Sequence, residues 1–129
     1  MTRRCCLAAV DIADIPPLAA ALKGTGEPIL TIIARLEVAE LRKLRPDVLV
    51  ADIDRLESDP LEMLRQIRFV LPECVIVVYT ANLKSSWGRA CHLAGASCLL
   101  SKGSPKSQLI SGLQNAIRTG CFTDPHFAA

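Results

Sequence analysis

Four side chains complement one another chemically, and each follows a strand-like apolar run: Asp11, Asp52, Thr80 and Lys102. Two carboxylates, a hydroxyl and an ammonium gathered in one cleft form a site for an oxyanion and a hard cation. Carboxylate oxygens suit Mg²⁺, and a metal beside a carboxylate nucleophile neutralises charge as a phosphoryl group moves. The hydroxyl and the ammonium can hold the remaining phosphoryl oxygens.

The elements that must position these residues are legible in order. Residues 5–10 (CCLAAV), 29–34 (ILTIIA), 47–52 (DVLVAD), 75–79 (VIVVY) and 98–100 read as strands, the second rich in β-branched residues. Helices are predicted between them: 16–23 with a Pro start and Gly24 as its stop, and 38–44 ending before Pro46. The third helix is capped by Asp59, with Pro60 first and Glu62 placed for a capping box. The fourth, 85–93, is weakened by Gly88 and stopped by Gly95, and the last is capped by Ser104 and opened by Pro105. Five β-α repeats in one chain of 129 residues predict a single α/β domain. The expected architecture is a flavodoxin-like (βα)5, doubly wound, five-stranded parallel sheet of order 2-1-3-4-5. In such sheets ligands bind beyond the carboxyl ends of the strands, between the first and third, where the four residues fall.

With those residues placed, the chain resembles the receiver domains of bacterial response regulators over nearly its whole length. PDVLVADIDRLESDPLEMLRQIR resembles the family's third strand, acceptor Asp, loop and third helix; VIVVYTA resembles the fourth strand with its small hydroxyl; GASCLLSKGSP resembles the approach to the family Lys and the last helix. The resemblance implies that Asp52 accepts a phosphoryl group from a histidine kinase or phosphotransfer protein, that Thr80 and Lys102 bind and report it, and that the chain is a signalling domain rather than an enzyme. It implies Mg²⁺ held by Asp11, Asp52 and the backbone carbonyl of Asp54. It also implies relay, and homodimerisation, through the face built by residues 85–118, from Ser85 to Arg118, with transcription as the output and the cytoplasm as the location.

The chain departs from the family pattern at several points. Where the family has two consecutive acids, this chain offers Asp11-Ile12, or Asp14-Ile15 if Pro17-Leu18 sets the register, so an apolar residue replaces the second acid. The aromatic switch position is Leu99, and the loop after the acceptor carries Leu56 and Pro60 in place of the usual Pro and Gly. The segment from the second strand through the second helix is a few residues short. These departures keep a second reading open, a phosphorylation-independent pseudo-receiver used for dimerisation or protein binding. A flavin-binding relative would need a Gly- or hydroxyl-rich phosphate loop after the first strand, and DIADIPPL has none.

Composition excludes other classes. The charge of +2 is small and its positive residues are scattered, so the domain itself is not expected to bind nucleic acid. No apolar run is long enough to span a bilayer. Six cysteines without a C-x-x-C pair predict reduced, mostly buried thiols. Adjacent Cys91 and His92 diverge on a helix and do not make a metal pair. The residues 1–120 are read as the receiver and 121–129 as the start of a linker to an output domain, because Asp124-Pro125 opens a helix with only four residues after the proline and the stretch resembles the junction in LuxR-type regulators; a naturally single-domain receiver is the competing reading.

Overall fold

The computed structural model describes residues 3–24, 26 and 28–128, with the side chains of His126 and Ala128 excepted. Six strands alternate with helices: β1 (Arg4–Ala8), α1 (Ile15–Lys23), β2 (Ile29–Ile33), α2 (Val38–Leu44), β3 (Val48–Asp52), α3 (Pro60–Val70), β4 (Val75–Thr80), α4 (Ser85–Ala94), β5 (Cys98–Ser101), α5 (Lys106–Thr119) and β6 (Phe122–Thr123). Short 3₁₀ turns cover Ile12–Asp14 and Pro125–Ala128. All pairings are parallel, in the order β2-β1-β3-β4-β5-β6.

The sheet separates two cores by the period of two along each strand. Cys6, Leu49, Ala51, Ile76, Val78 and Leu99 face Leu41, Leu64, Ile67 and Cys91 from α2, α3 and α4. Cys5, Leu7, Val50, Val77, Tyr79 and Leu100 face Leu18 and Leu22 of α1 and Leu109, Leu113 and Ile117 of α5. Covering both faces is what a parallel sheet requires, and β3, at its centre, has no exposed residue. Trp87 packs against the first core, which makes it an anchor of α4.

Three local expectations change. The first strand stops at Ala8 rather than running to residue 10, because Ala9 turns into the left-handed region at φ 60°. Asp11 is therefore carried past the strand end into the turn before α1, where its carbonyl accepts the N–H groups of Asp14 and Ile15. Asp59 caps α3 by accepting the Leu61 N–H at 3.0 Å, but Glu62 pairs along the helix with Arg65 and Gln66, so the capping box is half formed. Ser104 does not cap α5; its hydroxyl donates to Asp124 at 2.6 Å.

That last bond explains the sixth strand, which five-repeat counting misses. Asp124 is 3% exposed; its N–H donates to the Leu99 carbonyl at 3.0 Å, and its carboxylate accepts from Ser104. This buried acid draws Phe122–Thr123 alongside β5 and seats Phe127 against Gly88 and Leu99. Residues 122–127 thus pack on part of the 85–118 face.

At the opposite rim from the strand ends, Arg68 binds five oxygen groups: the carbonyls of Leu71, Pro72, Cys74 and Gly95, and the Ser97 hydroxyl. One planar guanidinium thereby satisfies carbonyls at the ends of α3 and α4. Replacing Arg68 by Met is expected to cost about 2 kcal/mol, with Lys recovering only part because it lacks the fork of donors; the urea midpoint measures it. Five of the cysteines are buried and Cys121 is exposed, with burial pushing Cys74 and Cys98 up to about 12. Mass spectrometry after brief maleimide treatment at neutral pH should show Cys121 modified alone in the native protein, and all six cysteines after unfolding.

Candidate functional site

Asp52 ends β3, paired in register with Tyr79 of β4, and Thr80 pairs with Ser101, the residue before Lys102. The parallel register alone thus sets an acid, a hydroxyl and an amine at one rim. Asp52 is 1% exposed. Its Oδ1 accepts the Asp54 N–H at 3.0 Å, and its Oδ2 meets the Lys102 ammonium at 2.6 Å. A carboxylate removed from water is tolerable only when so paired. The ammonium also lies 5.8 Å from the centre of the Tyr79 ring, within cation–π range. Burial pushes the Tyr79 phenol up to about 12, helped by the nearby acids Asp14 and Asp52.

The Asp54 side chain enters the same site. Its Oδ1 accepts the Thr80 hydroxyl at 2.6 Å, while its Oδ2 accepts the Ala81 N–H at 2.8 Å and lies 3.1 Å from Lys102 Nζ. The Asn82 N–H in turn donates to Thr80 Oγ1 at 3.1 Å. Sequence reading assigned Asp54 only a backbone carbonyl and overlooked its carboxylate. The available signal was an acid two residues beyond a strand-end Asp, on a loop facing the next strand end. Partial burial opposes ionisation of Asp54, but hydrogen bonds from Thr80 and Ala81 and the Lys102 charge outweigh it and hold the carboxyl below its ordinary value. For Lys102 burial likewise opposes charge, and Asp52 and Asp54 raise its pKa nonetheless.

Asp11 stands apart from this network. It forms an ion pair with Arg55, and both side chains are well exposed. Ile12, in the place of a second acid, is 86% exposed. Among the described residues no three His, Cys, Asp or Glu side chains gather as a metal site. Of the residues expected to hold Mg²⁺, Asp11 is paired with Arg55 and the two Asp52 oxygens meet the Asp54 N–H and Lys102, while Ile12 stands where a second acid would. Leu99 is buried in the core beside Phe127, and Leu56 packs at its edge. His92 bonds the Ala96 carbonyl and the Thr123 hydroxyl, joining α4 to β6.

Comparison with known structures decides the fold. A LuxR-family two-component response regulator from Aurantimonas sp. SI85-9A1 superposes with a TM-score of 0.78 at 22% identity, covering 99% of this chain and 94% of that one. This is the receiver fold. The isolated receiver domain of RcsB from Salmonella enterica serovar Typhimurium, solved with the phosphomimetic BeF3⁻, matches with a TM-score of 0.76 at 16% identity, covering 99% of this chain and 97% of that one. The receiver fold also recurs at a TM-score of 0.70 and 18% identity in a putative pilus assembly protein from Burkholderia thailandensis, over 92% of this chain and all of that one. By sequence, the chain is 27% identical over 89 residues to the methanol utilization control regulatory protein MoxX of Paracoccus denitrificans, a match covering 67% of this chain and 40% of that protein. No family model matches. Among the described residues no helix is long and apolar enough to cross a membrane.

The two shifted groups predict a pH profile. Asp54, with its pKa lowered on folding from 3.8, stabilises the fold above that value and loses the contribution as pH falls through the lower folded pKa. Lys102, raised from 10.5, stabilises below that value and loses the contribution as pH rises through the higher folded pKa. Denaturant midpoints should therefore fall at both extremes, and Asp54→Asn should flatten the acid limb while leaving much of the alkaline limb, because Lys102 keeps Asp52.

Proposed function

We propose that the chain is a receiver domain of two-component signalling that takes a phosphoryl group on Asp52 from a histidine kinase or phosphotransfer protein. The observation that carries this reading is the buried Asp52 carboxylate beside Lys102, at the same rim as Thr80. In the transfer, an Asp52 oxygen attacks the phosphorus of phosphohistidine. A P–O bond forms as the P–N bond breaks, the imidazole departs, and an acyl phosphate remains. Lys102 neutralises charge on the phosphoryl oxygens, and Thr80 donates to one of them.

Relay runs through α4, β5 and α5 to a homodimer partner, with transcription as the output and the cytoplasm as the setting. The exposed Leu93 on α4 supplies an apolar contact on that face, beside the strip that Phe127 covers. The name of the Paracoccus relative, a control regulatory protein, is consistent with such an output. The competing reading is a pseudo-receiver that binds partners without phosphorylation. It is favoured by one observation: the donors that would meet a phosphoryl group already hold the Asp54 carboxylate.

Intact mass after incubation with acetyl phosphate, with and without Mg²⁺, separates the two. The receiver reading expects a phosphoryl adduct that Asp52→Asn abolishes. Absence of any adduct under conditions that label an ordinary receiver would replace it with the pseudo-receiver.

A further inference from the structure

We propose that the Asp54 carboxylate is the resident anion of the oxyanion site, an internal ligand that a phosphoryl group on Asp52 must displace. The site has three donors from two strand ends: the Thr80 hydroxyl, the Ala81 N–H and the Lys102 ammonium. All three converge on Asp54, at 2.6, 2.8 and 3.1 Å. Charge-assisted bonds of this kind are about twice as strong as neutral ones. The side chain carrying them is 25% exposed, so solvent weakens the arrangement only in part.

Geometry makes the occupancy local and reversible. The Asp54 N–H is tied to Asp52 Oδ1 at 3.0 Å, which fixes the main chain beside the acceptor. Vacating the site then requires rotation of one short side chain, not movement of a loop. The Thr80 hydroxyl and the Ala81 N–H have one proton each to donate, so the Asp54 carboxylate and a phosphoryl group compete for them, while Lys102, which already bridges Asp52 and Asp54, can be shared. Phosphorylation becomes an exchange: the phosphoryl group gains Thr80, Ala81 and part of Lys102, and the Asp54 carboxylate turns out to water.

The same occupancy acts on the loop after β4. Thr80 Oγ1 donates to Asp54 and accepts the Asn82 N–H at 3.1 Å, while Ala81 donates to Asp54 directly. Thr80 to Asn82 are thus ordered around an anion before any phosphoryl group arrives. The resident carboxylate slows entry of the phosphoryl group and lessens the structural difference that its arrival makes.

The inference rests on the acceptor reading of Asp52 only for its effect on labelling, and the test keeps the two apart. Wild-type protein, Asp54→Ala and Asp54→Asn are compared without a phosphodonor by amide hydrogen exchange and ¹⁵N chemical shifts at Ala81 and Asn82. The same proteins are then treated with acetyl phosphate and followed by intact mass. The expected result is faster exchange and shifted resonances at both amides in the variants, together with labelling accelerated roughly tenfold, the equivalent of one charge-assisted hydrogen bond lost by the competitor. Altered amides with no labelling of any of the proteins would uphold the internal ligand and refute Asp52 as acceptor. Unchanged amides in both variants would overturn the proposal whatever the labelling. Labelling of wild type that neither variant accelerates would overturn it too, while leaving Asp52 as acceptor. Asp54→Asn preserves side-chain volume, so a folding defect confined to Asp54→Ala does not remove the test.

Discussion

A carboxylate at the end of a fully buried strand has to be answered by a cation, and the Asp52–Lys102 pair is that answer. β3 cannot surface, since helices cover both faces of the sheet around it, and its last side chain is withdrawn from water with the rest. Lys102 comes to it across β4: β5 lies two strands from β3, and Lys102 follows Ser101, which pairs with Thr80 at the end of β4. Breaking such a pair strands a charge, so the pair constrains the length and register of three strands together. The apolar run of β3, the Gly95 turn before β5 and the tight α5 packing behind it all serve a geometry in which two charges must meet.

The fold was legible because two periodicities coincide with punctuation. Runs such as VIVVY and DVLVAD are too apolar for a half-exposed strand, and caps such as Asp59-Pro60 mark where helices begin. Strand order followed from the handedness of the crossovers. Illegible parts had nonlocal causes. β6 is Phe122–Thr123, two residues that favour strands but are too few to read as one; Asp124, buried against Ser104, holds them there. The early end of β1 depends on a left-handed Ala9, a conformation that sequence would assign to Gly or Asn first.

The site was legible to a similar depth. Asp52, Thr80 and Lys102 are strand-end residues, so knowing the strands locates them. Asp54 and Arg55 lie on a loop, where side-chain direction is not set by a period. Asp54 turns inward to three donors, and Arg55 turns to Asp11. A loop acid and a loop base next to each other were assigned no partners by spacing, and tertiary placement gave them opposite destinations. Their effect on the pocket is nonetheless large, since together they occupy an anion position and a carboxylate that a phosphoryl group and a cation would use.

Arg68 has a mechanical consequence. By binding the carbonyls where α3 and α4 finish, together with Ser97 just ahead of β5, it pins the rim of the sheet farthest from Asp52. α4 is then tethered at its Gly95 end by hydrogen bonds from Arg68, and at its Ser85 end, a few residues beyond Thr80, by the packing of Trp87 and Gly88. The Ser85 end carries Trp87 and the seat of Phe127, so apolar contact joins it to the last residues of the chain where polar bonds hold the other end.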